Sequence, residues 1–166
     1  MASKIITQED LRQILHYDPE TGIFTWLRQL SYRGKLGTRA GCFKTRSGRV
    51  VIGMFGTEYY AYRLAWLYMT GVWPPMDIDH IDGDPRNNRF SNLRLCTMSQ
   101  NIQNQRRAKS NSTTGLLGAW PTPGGRFFSC IKVKGHVTYL GNFKTAQEAH
   151  HAYIAAKRKL HEFNTL

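Results

Sequence analysis

Residues 77–107 read DIDHIDGDPRNNRFSNLRLCTMSQNIQNQRR, and the way this stretch folds decides what the rest of the chain serves. Its first half sets four acids, Asp77, Asp79, Asp82 and Asp84, around one histidine, His80, and its second half is rich in asparagine. The surrounding chain has the opposite character. Lys and Arg outnumber Asp and Glu by 23 to 11 over 166 residues, a formal net charge of +12. That balance favours a polyanionic partner, nucleic acid before an anionic membrane. An acidic cluster kept inside so basic a chain needs a chemical reason.

Phosphodiester hydrolysis supplies one. A base must take a proton from water, and a cation must offset the charge that grows on phosphate and leaving oxygen. An imidazole is such a base near neutral pH, and a carboxylate beside it can hold Mg²⁺ or Mn²⁺, which prefer hard oxygen ligands. Neighbours in a regular strand point to opposite faces, so Asp79 and His80 can serve one point only from a strand end that turns into a loop. IDGDPRNN supplies the loop. Asn92, ahead of the next strand, is placed to fix the histidine ring through its second nitrogen, and Asn101 can bring an amide oxygen to the same metal. Thr97 and Gln100 stand in capping-box spacing, so a helix starts near residue 98 and the order is strand, long loop, strand, helix. A calcium loop is the rival reading, but no starting point gives the EF-hand register. Asp82 and Asp84 read instead as turn residues.

Upstream, VVIGMFGTEYY (50–60) reads as two strands joined at a glycine turn, and AYRLAWLYMTG (61–71) has helical apolar spacing with Gly71 placed to stop it. Thr7 caps a short helix over 7–16, and YDPETG (17–22) turns into the strand GIFTWL. Residues 28–49, rich in Arg, Lys and Gly, read as a mobile basic loop. Downstream, RRAKSNSTT (106–114) has linker composition. RFFSCIKVK and HVTYLGNF flank Gly135 as a hairpin, and Thr145 with Glu148 caps a long helix. Alternation puts Cys130 and Lys132 on one face of the hairpin and Ser129, Ile131 and Val133 on the helix side. Lys157-Arg158-Lys159 reads as a solvated helix face. Cys42, Cys96 and Cys130 offer no Cys-x-x-Cys pair and read as buried thiols, and the adjacent His150 and His151 diverge on a helix and make no metal site.

IDHIDGD, the asparagines after it, SNLR and SQN together resemble the HNH homing-endonuclease motif in its phage variant, whose last histidine is replaced by asparagine. The resemblance covers 50–107 and implies a two-strand-plus-helix ββα-metal finger that cuts DNA with one divalent ion. Residue by residue, it makes His80 the general base, Asp79 and Asn101 the metal ligands and Asn92 the residue that orients the base. Asn88 and Arg94 fall in the pattern as loop support or a phosphate contact. Tyr62-Arg63 departs from it, since many relatives have His-Arg there. YDPETGIFTW resembles a segment often attached to such phage nucleases. Beyond the linker, YLGNF, Thr145, Glu148-Ala149, Ala152-Tyr153 and Ala155-Ala156 are similar to the Apetala/ethylene-response-factor type DNA-binding domain, which lays a three-stranded sheet in the major groove. Trp120, Arg126, Lys132, Lys134 and Tyr139 become the DNA-facing candidates. Phe127 replaces the usual Trp, and Trp120 and Cys130 stand where plant relatives often have Arg and Glu, so the plant base preference does not transfer.

The expected fold class is α+β: an N-terminal α/β extension with its basic loop (1–49), an HNH nuclease core (50–107), a linker (108–114), and a small three-stranded antiparallel sheet plus one helix (115–166). The expected function is a phage-type DNA endonuclease that uses Mg²⁺ or Mn²⁺ on double-stranded DNA. A non-catalytic DNA-binding regulator with a degenerate finger and an RNA-processing nuclease are the alternatives. With no membrane-spanning stretch and a polar start, the expected location is the cytoplasm, that of the host cell if phage-encoded.

Overall fold

The computed structural model describes residues 6–30 and 34–166, and it divides into two compact units, Met1–Thr97 and Met98–Leu166. The chain is α+β, built of small antiparallel sheets and four α-helices among the described residues, as its patterning predicts. Part of the expected basic loop, residues 31–33, and the start of the chain, residues 1–5, lie outside the described residues.

In the first unit, helix α1 (Gln8–Ile14) begins at Thr7, whose hydroxyl accepts from the Asp10 amide while the Asp10 carboxylate accepts from the Thr7 amide. This reciprocal cap satisfies two donors that a helix start leaves open. Strands β1 (Leu15–Asp18) and β2 (Ile23–Trp26) pair antiparallel, with β3 (Arg39–Ala40) on the other edge of β2. Strands β4 (Cys42–Lys44), β5 (Arg49–Met54) and β6 (Thr57–Tyr60) form a second sheet with β5 central. Part of the stretch expected as a loop is therefore β3 and β4. Gly41 joins them, and a Cβ there would meet Ile52 at 2.8 Å and the Val51 carbonyl at 3.0 Å, so the join requires glycine. Helix α2 (Ala61–Thr70) stops at Gly71, which is left-handed at φ 81°. Strands β7 (Asp77–His80) and β8 (Leu93–Cys96) pair with Asp79 opposite Arg94, and a short 3₁₀ turn, Phe90–Asn92, leads into β8. One apolar core takes Leu11, Leu15, Tyr17 and Phe24 from the N-terminal stretch together with Ile52, Leu64, Leu67, Ile78 and Leu93. The expected extension and the strands of the expected nuclease share that core.

The second unit holds helix α3 (Met98–Gln103), strands β9 (Trp120–Pro121), β10 (Phe127–Val133) and β11 (His136–Phe143) in the order β11-β10-β9, and helix α4 (Ala146–Leu160). Lys134 and Gly135 join β10 to β11 with φ of 48° and 90°, the pair of positive values that a type I′ hairpin turn demands. Thr145 and Glu148 form the expected capping box on α4. Ser129, Ile131 and Ala149 are buried. Lys157 corrects the reading of a solvated Lys-Arg-Lys face: it is fully buried, and its ammonium donates to the Gln105 carbonyl. Burial, then the nearby Arg106 charge, lowers its pKa to about 8. Cys42 also departs from expectation, for it is exposed on the edge strand β4 while Cys96 is buried.

Candidate active site and a candidate DNA-facing sheet

β7 ends at His80, and the loop that follows folds back on itself through its own polar side chains. The Asp82 carboxylate accepts from the Asp84 amide (2.8 Å) and the Asn87 side chain (2.6 Å), and the Asp84 carboxylate accepts from the Arg86 amide (2.9 Å). Burial pushes the Asp82 carboxyl up, but these hydrogen bonds and one from Asn92 outweigh it and hold the group ionised to lower pH. Asp82 and Asp84 act as turn residues, as predicted.

Asp79 and His80 both reach the inside of this strand end, each about 5% exposed. Asp79 Oδ2 accepts from Arg94 Nε at 2.9 Å and Nη2 at 2.8 Å across the β7–β8 pair. His80 Nε2 lies 3.1 Å from Asn88 Oδ1, and the Asn88 amide group donates to the Arg86 carbonyl at 3.3 Å. The imidazole pKa is lowered, first by burial and then by the Arg49 charge, against the opposing pull of Asn88, Asp82 and Asp79. The ring therefore stays neutral at pH values where an ordinary histidine begins to charge, the state a base requires.

Asn92 takes another post than the expected one at the imidazole. Its Oδ1 accepts from the Asp82 amide, and its Nδ2 donates to Asp82 Oδ1 and the Asn87 carbonyl. It binds both ends of the loop together, while Asn88 meets the ring. Sequence spacing alone does not separate the two, since both asparagines precede β8 within a few residues of each other. Asn101 lies on α3, in the second unit. Among the described residues no cluster of three or more His, Cys, Asp or Glu side chains stands ready as a metal centre.

Three further residues support the loop from the N-terminal stretch. The buried Tyr17 hydroxyl donates to the Asn88 carbonyl at 2.7 Å, Arg89 Nε donates to the Glu20 carbonyl at 2.6 Å, and the Phe90 amide donates to the Pro19 carbonyl at 3.1 Å. Gly22 sits so close to the Asn88–Arg89 peptide that a Cβ would collide with its backbone. The motif YDPETG thus cradles the residue that meets His80, a role its turn composition alone does not reveal.

Residues 59–103 match the family model described as HNH endonuclease. These residues form an HNH endonuclease domain. The match takes in Tyr62, Asp79, His80, Asn88, Asn92, Arg94 and Asn101. The chain is also similar to Protein 3.8 of Escherichia phage T7, 51% identical over 41 residues, which cover 25% of this chain and 33% of that one. The chain thus spans about a third of the length of that curated relative. No solved structure matches the chain. Among the described residues no helix is long and apolar enough to cross a membrane.

In the second unit, Cys130 faces Tyr139 and Lys132 faces Val137 across the hairpin. Lys132, Val137 and Tyr139 are exposed, with Tyr139 at 62%. This face looks away from the buried Ser129 and Ile131, and β11 carries a bulge beside Cys130 that turns its end. Trp120 is exposed and stacks on Phe128, with ring centres 5.5 Å apart. Arg126 is exposed and donates to the Asn142 carbonyl at 3.2 Å, and Lys134 projects from the hairpin turn. The five candidates lie on β9, β10, β11 and the turns that join them.

Proposed function

We propose that the chain is a metal-dependent DNA endonuclease of the phage homing type, with nuclease residues over 50–107, a linker at 108–114 and an Apetala-type DNA-binding module over 115–166. The observation that carries this reading is the pairing at the end of β7: a buried imidazole beside a buried carboxylate, inside the span matched by the HNH endonuclease family. His80 is the general base. With Asn88 Oδ1 as acceptor, the ring proton sits on Nε2 and the lone pair on Nδ1 takes the proton of the attacking water. Asn92 acts by holding the loop closed around that ring, and Arg94 fixes the Asp79 carboxylate.

Asp79 and Asn101 are the proposed metal ligands. One carboxylate and one amide oxygen suit a Mg²⁺-class ion, which keeps most of its shell as water. When bound, the ion would offset charge on the leaving 3′ oxygen. Basic side chains hold the duplex, and Trp120, Arg126, Lys132, Lys134 and Tyr139 present the sheet to it.

Supercoiled plasmid incubated with Mg²⁺ or Mn²⁺ should be nicked or cut by the parent protein, with EDTA abolishing the reaction. His80→Ala should lower the rate by about 10³-fold. An untouched plasmid across metals and DNA sources would leave the rival reading of a DNA-binding regulator, and preferential cutting of structured RNA would turn the reading toward RNA.

A further inference from the structure

Arg49 opens β5 and is half-buried. Its guanidinium carbon lies 5.8 Å from the centre of the Tyr62 ring, within cation-π range. Tyr62, near the start of α2, meets His80 edge-on with ring centres 5.4 Å apart and planes at 75°. Three elements thus link a cation, an aromatic ring and the imidazole through two ring contacts.

Other cations of the first unit have partners of their own. Arg94 binds Asp79, Lys44 binds Glu58, Arg86 lies over Phe43, Arg63 faces Trp73 and Arg89 donates to the Glu20 carbonyl. Arg49 has no carboxylate partner among the described residues. A half-buried guanidinium without an anion costs stability, and that cost is offset when an anion binds it.

We infer that Arg49, steadied by Tyr62, grips a non-bridging oxygen of the phosphodiester under attack and is a further catalytic residue of the proposed nuclease. The inference rests on the nuclease reading for its chemistry, whereas phosphate capture by Arg49 can be measured by itself. A guanidinium fork matches the oxygens of a phosphate in a bidentate way that an ammonium cannot. As the water oxygen bonds to phosphorus and the P–O3′ bond breaks, charge grows on the non-bridging oxygens, and a preplaced cation stabilises it. The water proton passes to His80, and the departing 3′ oxygen takes its proton from solvent.

Two measurements on the full chain test this. In single-turnover plasmid cleavage at saturating Mg²⁺, Arg49→Gln should slow the reaction about 100-fold, while duplex binding in EDTA weakens by no more than about 5-fold, one phosphate contact among many. Arg49→Lys, which keeps the charge without the fork, should recover part of the rate, and it serves as the decisive variant if Arg49→Gln melts early. In the second measurement, dimethyl phosphate is titrated while the Arg49 Nε–H resonance is followed by NMR. The parent should show a saturable shift. A parent that cleaves while Arg49→Gln or a folded Arg49→Lys cleaves equally fast overturns the proposal. A parent that cleaves nothing but shows the saturable shift keeps phosphate capture and removes the nuclease reading. Absence of any shift removes phosphate capture.

Discussion

The two units bury different things. Met1–Thr97 closes on a core of large apolar side chains, with Leu11, Leu15, Ile52 and Leu64 fully buried, and its polar groups gather at one strand end and the loop beyond it. Met98–Leu166 buries few large apolar residues, Leu117 and Ile131 chief among them, alongside Asn104, Ser129, Lys157 and His161. Several polar groups of this unit meet backbone carbonyls, while Ser129 Oγ and His161 Nδ1 are buried without a hydrogen-bond partner. His161 Nε2 lies 3.0 Å from the Lys132 carbonyl, His150 Nδ1 lies 2.7 Å from the Leu117 carbonyl, and Lys157 reaches the Gln105 carbonyl. An apolar core can hold a polar loop within a few tenths of an ångström, as the proposed nuclease site requires. The sheet of the second unit rests on a single helix, and much of its outer face is left for solvent or a ligand.

The largest effect expected from this contrast is in core truncation. Leu64→Ala removes a fully buried side chain from a core packed on all sides, so the cavity cannot collapse, and the loss should reach about 3–5 kcal/mol. Ile131→Ala leaves a gap in a sheet covered by a single helix, in which the buried apolar residue is small, Ala149, and should cost about 2–3 kcal/mol. Urea unfolding with hydrogen exchange measures both. An Ile131→Ala loss equal to or above that of Leu64→Ala would erase the contrast between the cores.

The same contrast explains how much could be read from sequence. Thr7, Thr145 with Glu148, Gly71 and Gly135 announced their caps and turns because these are local devices, decided by a few adjacent residues. Asp79 and His80 drew the catalytic reading because the proposed chemistry needs that adjacency. Strands β3 and β4 were not, since three residues or fewer in a Gly-rich basic stretch carry no alternation, and their place is set by Ile52 and Val51 on another strand. The Asn88 contact with His80 depends on Tyr17 and Gly22, more than sixty residues away in sequence. Lys157 read as solvent-facing for a like reason: the Gln105 carbonyl it meets lies 52 positions back along the chain.

Lys157 offers the second test. Its folded pKa of about 8 lies below the ordinary 10.5, so between those values the unfolded chain carries a proton that the folded chain lacks. Stability therefore rises with pH through that window, and below about pH 8 both states are protonated and the gain is absent. Between pH 8 and 9.5 the parent should gain about 1–2 kcal/mol relative to Lys157→Met, which has no such proton to lose. Equal pH slopes for the two in urea unfolding would mean that the ammonium is as comfortable at the Gln105 carbonyl as in water. The second unit would then resemble the first in holding its buried polar groups without strain.

The smallest expected effect concerns the sheet face. Lys132 is exposed on the same side of the hairpin as Val137 and Tyr139, and no carboxylate pairs with it among the described residues. If this face meets DNA phosphate, Lys132→Ala should reduce the slope of log affinity against log salt by about 0.9, the release of one counterion, and weaken binding by no more than about 1 kcal/mol at moderate salt. Binding in EDTA, measured across a salt series, separates this from a loss of shape, because a packing defect shifts the affinity without changing the slope. An unaltered slope would assign the grip on DNA to the first unit and leave the exposed sheet without a part in it.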